Sequence, residues 1–170
     1  MKRNLLLGAG NSRVKKVAYD GHHEWEGELV TIDMDPNCGA DVIWNLETHP
    51  LPFADEEFDE LHAYDVLEHF GRQGDWKGFF DEFAEYWRIL KPAGLFGIIV
   101  PINKDALADP GHTRFFHQNY FGFLNQGFYA DNLAKGTACT DYRWHWKRSF
   151  DVLHLDASTG HHLSVLLRKA

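Results

Sequence analysis

Cysteine is scarce in this 170-residue chain. Cys38 and Cys139 stand far apart with no Cys-x-x-Cys pair, which excludes the usual structural zinc site. Two such thiols read as free cysteines in a reducing compartment rather than as a disulfide, so a cytoplasmic location is expected. Long apolar runs are missing as well. None approaches the ~20 residues that span a bilayer, and the leucines at 5–7 are too few for a secretory leader. No membrane partner is expected. Positive charge is short: 17 Lys and Arg against 25 Asp and Glu give −8 with histidines neutral. A broad nucleic-acid-binding face is normally basic, which argues against a general nucleic-acid clamp but leaves room for a local basic strip. Internal repeats and low-complexity tracts are absent too.

Aromatic residues, by contrast, are plentiful at 15%. A mass of 19.6 kDa implies roughly 8,600 Å² of surface when folded against about 28,000 Å² for the open chain. About 70% can therefore be buried, which suits one domain over residues 1–170.

The order of elements suggests an α/β fold with a mainly parallel sheet. Strands are expected at 3–7, 28–34, 41–44 and 58–63. A helix follows, because Trp76, Phe79, Phe80, Phe83, Ala84, Trp87 and Leu90 recur on one 3.6-residue stripe. Asp75 is its expected N-cap, and Lys91-Pro92-Ala93-Gly94 is expected to stop it. Residues 95–100 read as a strand buried on both faces. Residues 143–156 and 163–168 read as two closing strands with a polar turn at 157–160. Residues 11–27 leave room only for a short helix, and residues 35–41 for none, so the third strand is expected to be degenerate.

Parallel sheets bind ligands beyond the carboxyl ends of their strands, which directs attention there. The first strand runs into Gly8-Ala9-Gly10, where a ligand can approach the backbone closely. Asp33 ends the second strand, 23 residues beyond Gly10, a spacing at which a carboxylate can hold ribose hydroxyls. The third glycine of the dinucleotide fingerprint is missing, which weakens a nicotinamide-dependent oxidoreductase reading.

Five segments in order, LLLGAGNSR, LVTIDMDP, LPFADEEFDELHAYDVLEHF, RILKPAGLFGIIVP and DPGHTRFF, resemble the motifs of class I S-adenosylmethionine-dependent methyltransferases, in particular the small type-11-like subgroup. The resemblance runs from Leu5 to Phe116. It implies a Rossmann-like fold with an antiparallel closing strand, here with shortened N-terminal helices, and S-adenosylmethionine as cofactor. It also implies that Gly8, Ala9 and Gly10 face the methionyl and ribose part. Asp33 would hold the ribose, with Met34 beside it. Asn45 and Leu46 would sit at the adenine edge, and Tyr64 and Asp65 near the methionine. Leu6 stands where the family often has an acidic residue, two places before the first glycine. That departure keeps a non-catalytic cofactor-binding module as the alternative.

A sulfonium donor is already activated, so alignment and desolvation can carry most of the rate gain. A base is needed only if the acceptor must lose a proton. Catalytic candidates are His69, His112 and Tyr64, with Asp65 and Glu68 nearby. His112 and His117 form a possible metal pair, but no carboxylate stands at a close ligand spacing, and no metal is expected. Residues 101–142 are expected to form an acceptor-side insertion or lid. A small molecule or glycan precursor is the favoured acceptor. The strip Tyr142–Arg148 alternates aromatic and mostly basic residues, which on a strand would take opposite faces. One reading is a surface that stacks bases and contacts phosphates, with nucleic acid as the alternative acceptor; a half-buried closing strand is the plainer reading. Oligomeric state is left open.

Overall fold

The computed structural model describes residues 1–18 and 21–170. Four parallel strands come first: β1 (Arg3–Leu7), β2 (Glu28–Asp33), β3 (Val42–Ile43) and β4 (Phe58–Tyr64). Helix α1 (Trp76–Ile89) leads into β5 (Leu90–Pro101). Two short helices, α2 (Asn119–Gly122) and α3 (Gln126–Ala134), precede β6 (Phe150–Asp156) and β7 (His162–Lys169). The sheet order is β3-β2-β1-β4-β5-β7-β6. β7 slots antiparallel between β5 and β6, and the other neighbours pair parallel. The expected mainly parallel, Rossmann-like sheet is therefore present. Its exposed surface is 8,719 Å², close to the area expected for the mass.

Period-2 alternation splits the sheet into two faces. On one, Leu5, Leu7, Ile32, Leu61, Ala63, Phe96, Ile98, Val100 and Val165 meet Phe79, Phe80, Phe83, Tyr86 and Ile89 of α1 in the main core. Asp75 caps α1 as expected, its Oδ1 accepting from the Gly78 N–H at 3.0 Å, which contributes about 1 kcal/mol. On the other face, Leu6, Val17, Tyr64 and Leu166 form a small cluster beside buried Asn4, Thr31, Glu60 and His62. No helix covers that face between β1 and β2 among the described residues. The short helix expected between Gly10 and Glu28 is absent from residues 11–18 and 21–27, while Tyr19 and Asp20 lie outside the described residues.

Three expectations are corrected. The helix does not end in a loop, because Leu90 is already extended (φ −83°, ψ 134°) and opens β5. Lys91-Pro92-Ala93-Gly94 becomes an irregularity inside β5, between Leu90 opposite Phe58 and Leu95 opposite Glu60, with Ala93 rather than Gly94 at positive φ. Residues 143–149 are not strand. The chain turns there instead, with His145 and Trp146 N–H donating to the Tyr142 carbonyl. Trp146 is buried and Trp144 exposed, so the two rings do not share a strand face.

β3 is the degenerate strand foreseen. The Asp41 carboxylate substitutes for its missing ladder, accepting from the Thr31 N–H at 2.8 Å and the Thr31 hydroxyl at 2.7 Å. These bonds hold the Asp41 carboxyl below its ordinary pKa.

Candidate functional site

Because β1, β2, β4 and β5 are parallel, their carboxyl ends share one edge of the sheet. Gly8–Gly10, Asp33–Met34, Asp65–His69 and the loop after Pro101 all belong to it. Gly8 has φ +58°, and a Cβ there would stand 2.1 Å from Val66 Cγ2. Gly8 therefore packs the first loop onto the turn after β4. A Cβ on Gly10 would meet nothing within 4 Å, so this backbone faces open space, as a ligand cradle requires.

Asp33 ties the two loops together. Its Oδ2 accepts from the Gly10 N–H at 2.8 Å and its Oδ1 from the Asp35 N–H at 2.9 Å. Each oxygen keeps capacity for a further bond, as a ribose diol needs. Alongside, Met34 is 64% and Ile43 46% exposed, an apolar rim suited to an adenine ring. Asn45 is exposed, with its Oδ1 accepting from Glu47 N–H, and Leu46 is buried. Ala9 is buried and its N–H donates to the Ile32 carbonyl. The expected cofactor residues thus cluster at one edge, and Val66 and Ile43 join them. Glycine and strand patterns pointed to the former set. Neighbours contributed by packing carried no sequence signal.

Asp65 follows β4 at positive φ (+53°) and is exposed, with Lys16 Nζ at 3.2 Å and His162 Nε2 at 3.3 Å. Tyr64 points elsewhere. Its hydroxyl accepts from the Lys16 and Val17 N–H groups at 3.0 and 3.1 Å and donates to His62 Nδ1 at 2.6 Å. One donor and two acceptor positions are thereby used up, and burial pushes its pKa to about 12. Tyr64 is corrected as a catalytic candidate: the phenol belongs to a structural network.

His69 and His112 do come together. His69 ends a short 3-10 turn at Leu67–His69, and its ring meets that of His112 edge-on with centroids 4.7 Å apart. The segment carrying His112 is pinned from below. Thr113 and Arg114 N–H groups donate to the Glu68 carbonyl, and Arg114 Nη2 donates to the Leu67 carbonyl at 2.9 Å. Buried Arg114 also pairs with Glu82 of α1 at 2.7 Å. His112 Nδ1 binds the Ala106 carbonyl at 3.0 Å. Glu68, next to His69 in the same turn and with its Oε1 3.8 Å from His112 Nε2, is only 1% exposed. Burial pushes its carboxyl up to about 7, with Asp65 adding to the shift and His112 and Arg114 opposing it. His117 is exposed and lies outside this group, accepting from the Asn119 N–H.

Next to this edge, at the N-terminal end of α1, is a cavity of about 250 Å³. Trp76, Phe79, Phe80, Tyr120, Phe123 and Tyr142 wall it, with Arg72, Gln73 and Thr140 at its polar margin. Gln73 holds its two sides together, accepting from Phe115 N–H and donating to the Tyr120 hydroxyl.

A family model described as "Methyltransferase domain" matches residues 5–98, which include the glycine loop, Asp33 and the turn after β4. The chain belongs to the methyltransferase-domain family. It is an enzyme of the S-adenosylmethionine-dependent class, and S-adenosylmethionine is its cofactor. Solved structures agree in fold. An S-adenosylmethionine-dependent methyltransferase from Archaeoglobus fulgidus is 10% identical, with 99% of this chain and 86% of that one covered and a TM-score of 0.58. One from Mesorhizobium loti is 15% identical, covering 98% and 90%, with a TM-score of 0.52. The N-methyltransferase NodS from Bradyrhizobium japonicum is 12% identical, covering 99% and 85%, with a TM-score of 0.56. Comparison with curated proteins gives no match. The residues at the sheet edge fit the cofactor of this methyltransferase, since the glycine loop is open and Asp33 keeps acceptor capacity toward it.

Proposed function

We propose that this methyltransferase modifies a small molecule or glycan precursor whose ring face lies in the aromatic cavity beside α1. That cavity carries the reading. Its size suits one ring system, and Trp76 and Tyr142 offer faces on which a flat or sugar ring can stack. Residues 101–142, the acceptor-side lid of this proposal, supply Tyr120 and Phe123 to its wall. A nucleic-acid acceptor has less support. In the 142–148 strip, Arg143 is engaged by Asp141 at 2.6 Å and His145 by Asp81 at 3.2 Å, while Trp146 is buried.

On this reading Gly8, Ala9, Gly10, Met34, Asn45, Leu46, the backbone at Tyr64, and Asp65 line the cofactor, and Asp33 anchors its ribose. When bound, S-adenosylmethionine supplies an already activated methyl group. The chain's contribution is then alignment of the acceptor and exclusion of water by the aromatic wall. His69 and His112 are the groups placed to receive a proton where the acceptor must lose one. A cytoplasmic location is part of the same proposal, supported by the two unpaired thiols.

The test has two arms. Asp33→Ala should keep the fold and weaken S-adenosylhomocysteine binding about 10–100-fold, the worth of charge-assisted hydrogen bonds; unchanged affinity removes the site assignment. In an acceptor screen, Trp76→Ala should raise KM more than it lowers kcat. Tight cofactor binding without turnover on any acceptor favours the non-catalytic module, for which Leu6 and the lack of a helix between β1 and β2 among the described residues speak.

A further inference from the structure

Nothing at the sequence level linked His112 to a carboxylate, and the absence of one was the ground for expecting no metal. The fold supplies it. One potential ligand atom from each of Glu68, His69 and His112 lies within 4.8 Å of the other two. We propose that these three side chains form a binding site for a first-row divalent cation, with zinc the natural probe. The proposal shares His69 and His112 with the acceptor reading above and replaces their proton-taking role by ligation.

Four observations carry it. Glu68 Oε2 is buried with no hydrogen-bond partner, although Glu68 is nearly inaccessible. A buried carboxylate oxygen left without a partner is costly. Its companion Oε1 is the one that lies 3.8 Å from His112 Nε2, so a cation held by both oxygens of this carboxylate would satisfy it. Second, the Nδ1 of His112 is engaged by the Ala106 carbonyl. As the donor there, Nδ1 carries the proton, so Nε2 keeps its lone pair toward Glu68, whose Oε1 is 3.8 Å away. A ligating histidine is commonly oriented in this way by a backbone acceptor. Third, Gly111 leaves room for His69: a Cβ there would stand 3.1 Å from His69 Nδ1. Fourth, the scaffold is stiff, since the Glu82–Arg114 pair and the Glu68 carbonyl bonds fix the two chain segments that supply the ligands.

The geometry requires a small closure. Tetrahedral bonds of about 2.0–2.2 Å set two ligand atoms of one ion about 3.3–3.6 Å apart. Exposed His69 can supply most of the roughly 1 Å by rotating, and Glu68 Oε1 and His112 Nε2 need close from 3.8 Å by only a few tenths of an ångström. Two nitrogens and one carboxylate oxygen suit zinc, iron(II), cobalt or manganese better than magnesium or calcium. Three protein ligands leave coordination positions open. An oxygen-bearing acceptor would complete the shell, which favours acceptors that carry a hydroxyl or carboxylate.

The experiment is calorimetric titration of the full chain with Zn²⁺, with Co²⁺ absorption as a second signal. Wild type should bind one ion per chain. Glu68→Gln, His69→Ala and His112→Ala should each weaken it about 100-fold, and His161→Ala, in a histidine paired with Asp105 outside the cluster, should leave it unchanged. His69 is exposed, so its variant keeps the fold and circular dichroism will show it. Absence of saturable one-to-one binding overturns the proposal, as does binding that survives both His69→Ala and His112→Ala. Neither result touches the methyl-transfer reading, because S-adenosylhomocysteine affinity is measured separately on the same proteins. Loss of zinc binding in Glu68→Gln with cofactor affinity intact assigns the effect to the cation site alone.

Discussion

On one face of the sheet, Phe79, Phe80, Phe83 and Tyr86 bury themselves against leucines, isoleucines and Phe96. On the other, Asn4, Thr31, Glu60 and His62 are buried as deeply, and they are polar. The same strands make both faces. What differs is the cover. α1 satisfies its own backbone internally, so its partner face can be wholly apolar. The second face lies under an extended segment whose N–H and C=O groups need partners. The sheet supplies them: the Tyr64 hydroxyl takes the Lys16 and Val17 N–H groups, and Asn4 Nδ2 donates to the Glu26 and Glu28 carbonyls.

The polar chain continues inward with a defined proton order. Because Tyr64 accepts from two backbone donors, its own proton goes to His62 Nδ1. The Nε2 proton of His62 goes to Glu60 Oε2 at 3.1 Å, which Lys15 also holds at 2.7 Å. Burial lowers the His62 pKa and keeps the ring neutral. The segment over this face is thus held by hydrogen bonds and by ion pairs such as Lys15–Glu60 and Lys16–Asp65, where the opposite face uses packing.

Four substitutions or conditions sharpen this contrast. The largest loss should come from Phe83→Ala on the apolar face, about 3–5 kcal/mol by urea denaturation. On the polar face, Glu60→Ala should cost about 2 kcal/mol by leaving Lys15 unpaired, less than a fully buried pair because Lys15 and Glu60 retain some contact with water. The double variant Lys15→Met with Glu60→Leu should recover only part of it, because the buried His62 Nε2 proton also loses Glu60 as its acceptor; full recovery would show that His62 does not need that bond. Next is Gly97→Ala, at about 1–2 kcal/mol, since a Cβ there would lie 2.7 Å from His62 Nδ1 and 3.1 Å from Val17 Cβ. Removing that ring with His62→Ala should relieve the penalty.

The last test is a slope with pH. The His62 hydrogen bond, opposed by burial and helped by Lys15, lowers the Glu60 carboxyl from 4.5 to about 2. A depressed carboxylate stabilises the fold above its unfolded pKa, and the contribution is lost as pH falls from about 4.5 to about 2. Thermal melts of wild type should therefore decline over that window more steeply than those of Glu60→Gln.

This division also decides what could be read beforehand. α1, its Asp75 cap, β1 and β4 were legible because apolar periodicity and a capping side chain are local. The glycine loop and Asp33 were legible because both sit at strand ends, where spacing alone brings them together. The 142–148 strip misled because alternation of aromatic and basic residues does not distinguish a strand from a turn in which only Trp146 enters the core, its indole N–H donating to the Leu124 carbonyl. Tyr64 misled because its place at the end of β4 does not by itself show that its ring lies on the polar face of the sheet. The meeting of Glu68, His69 and His112 depends on Arg114 bridging three separate segments, and no window of sequence contains that.

The place of β7 has a consequence for synthesis. β6 is made before β7, yet β7 lies between β6 and β5. While the ribosome is still making the last strand, β6 has no neighbour to pair with, and β5 presents a bare hydrogen-bonding edge of apolar residues such as Phe96 and Ile98. Such an edge is open to pairing with other chains. Completion of this sheet is therefore held back until the strand at 162–169 has emerged, and the nascent chain is the form most exposed to aggregation and to chaperone capture.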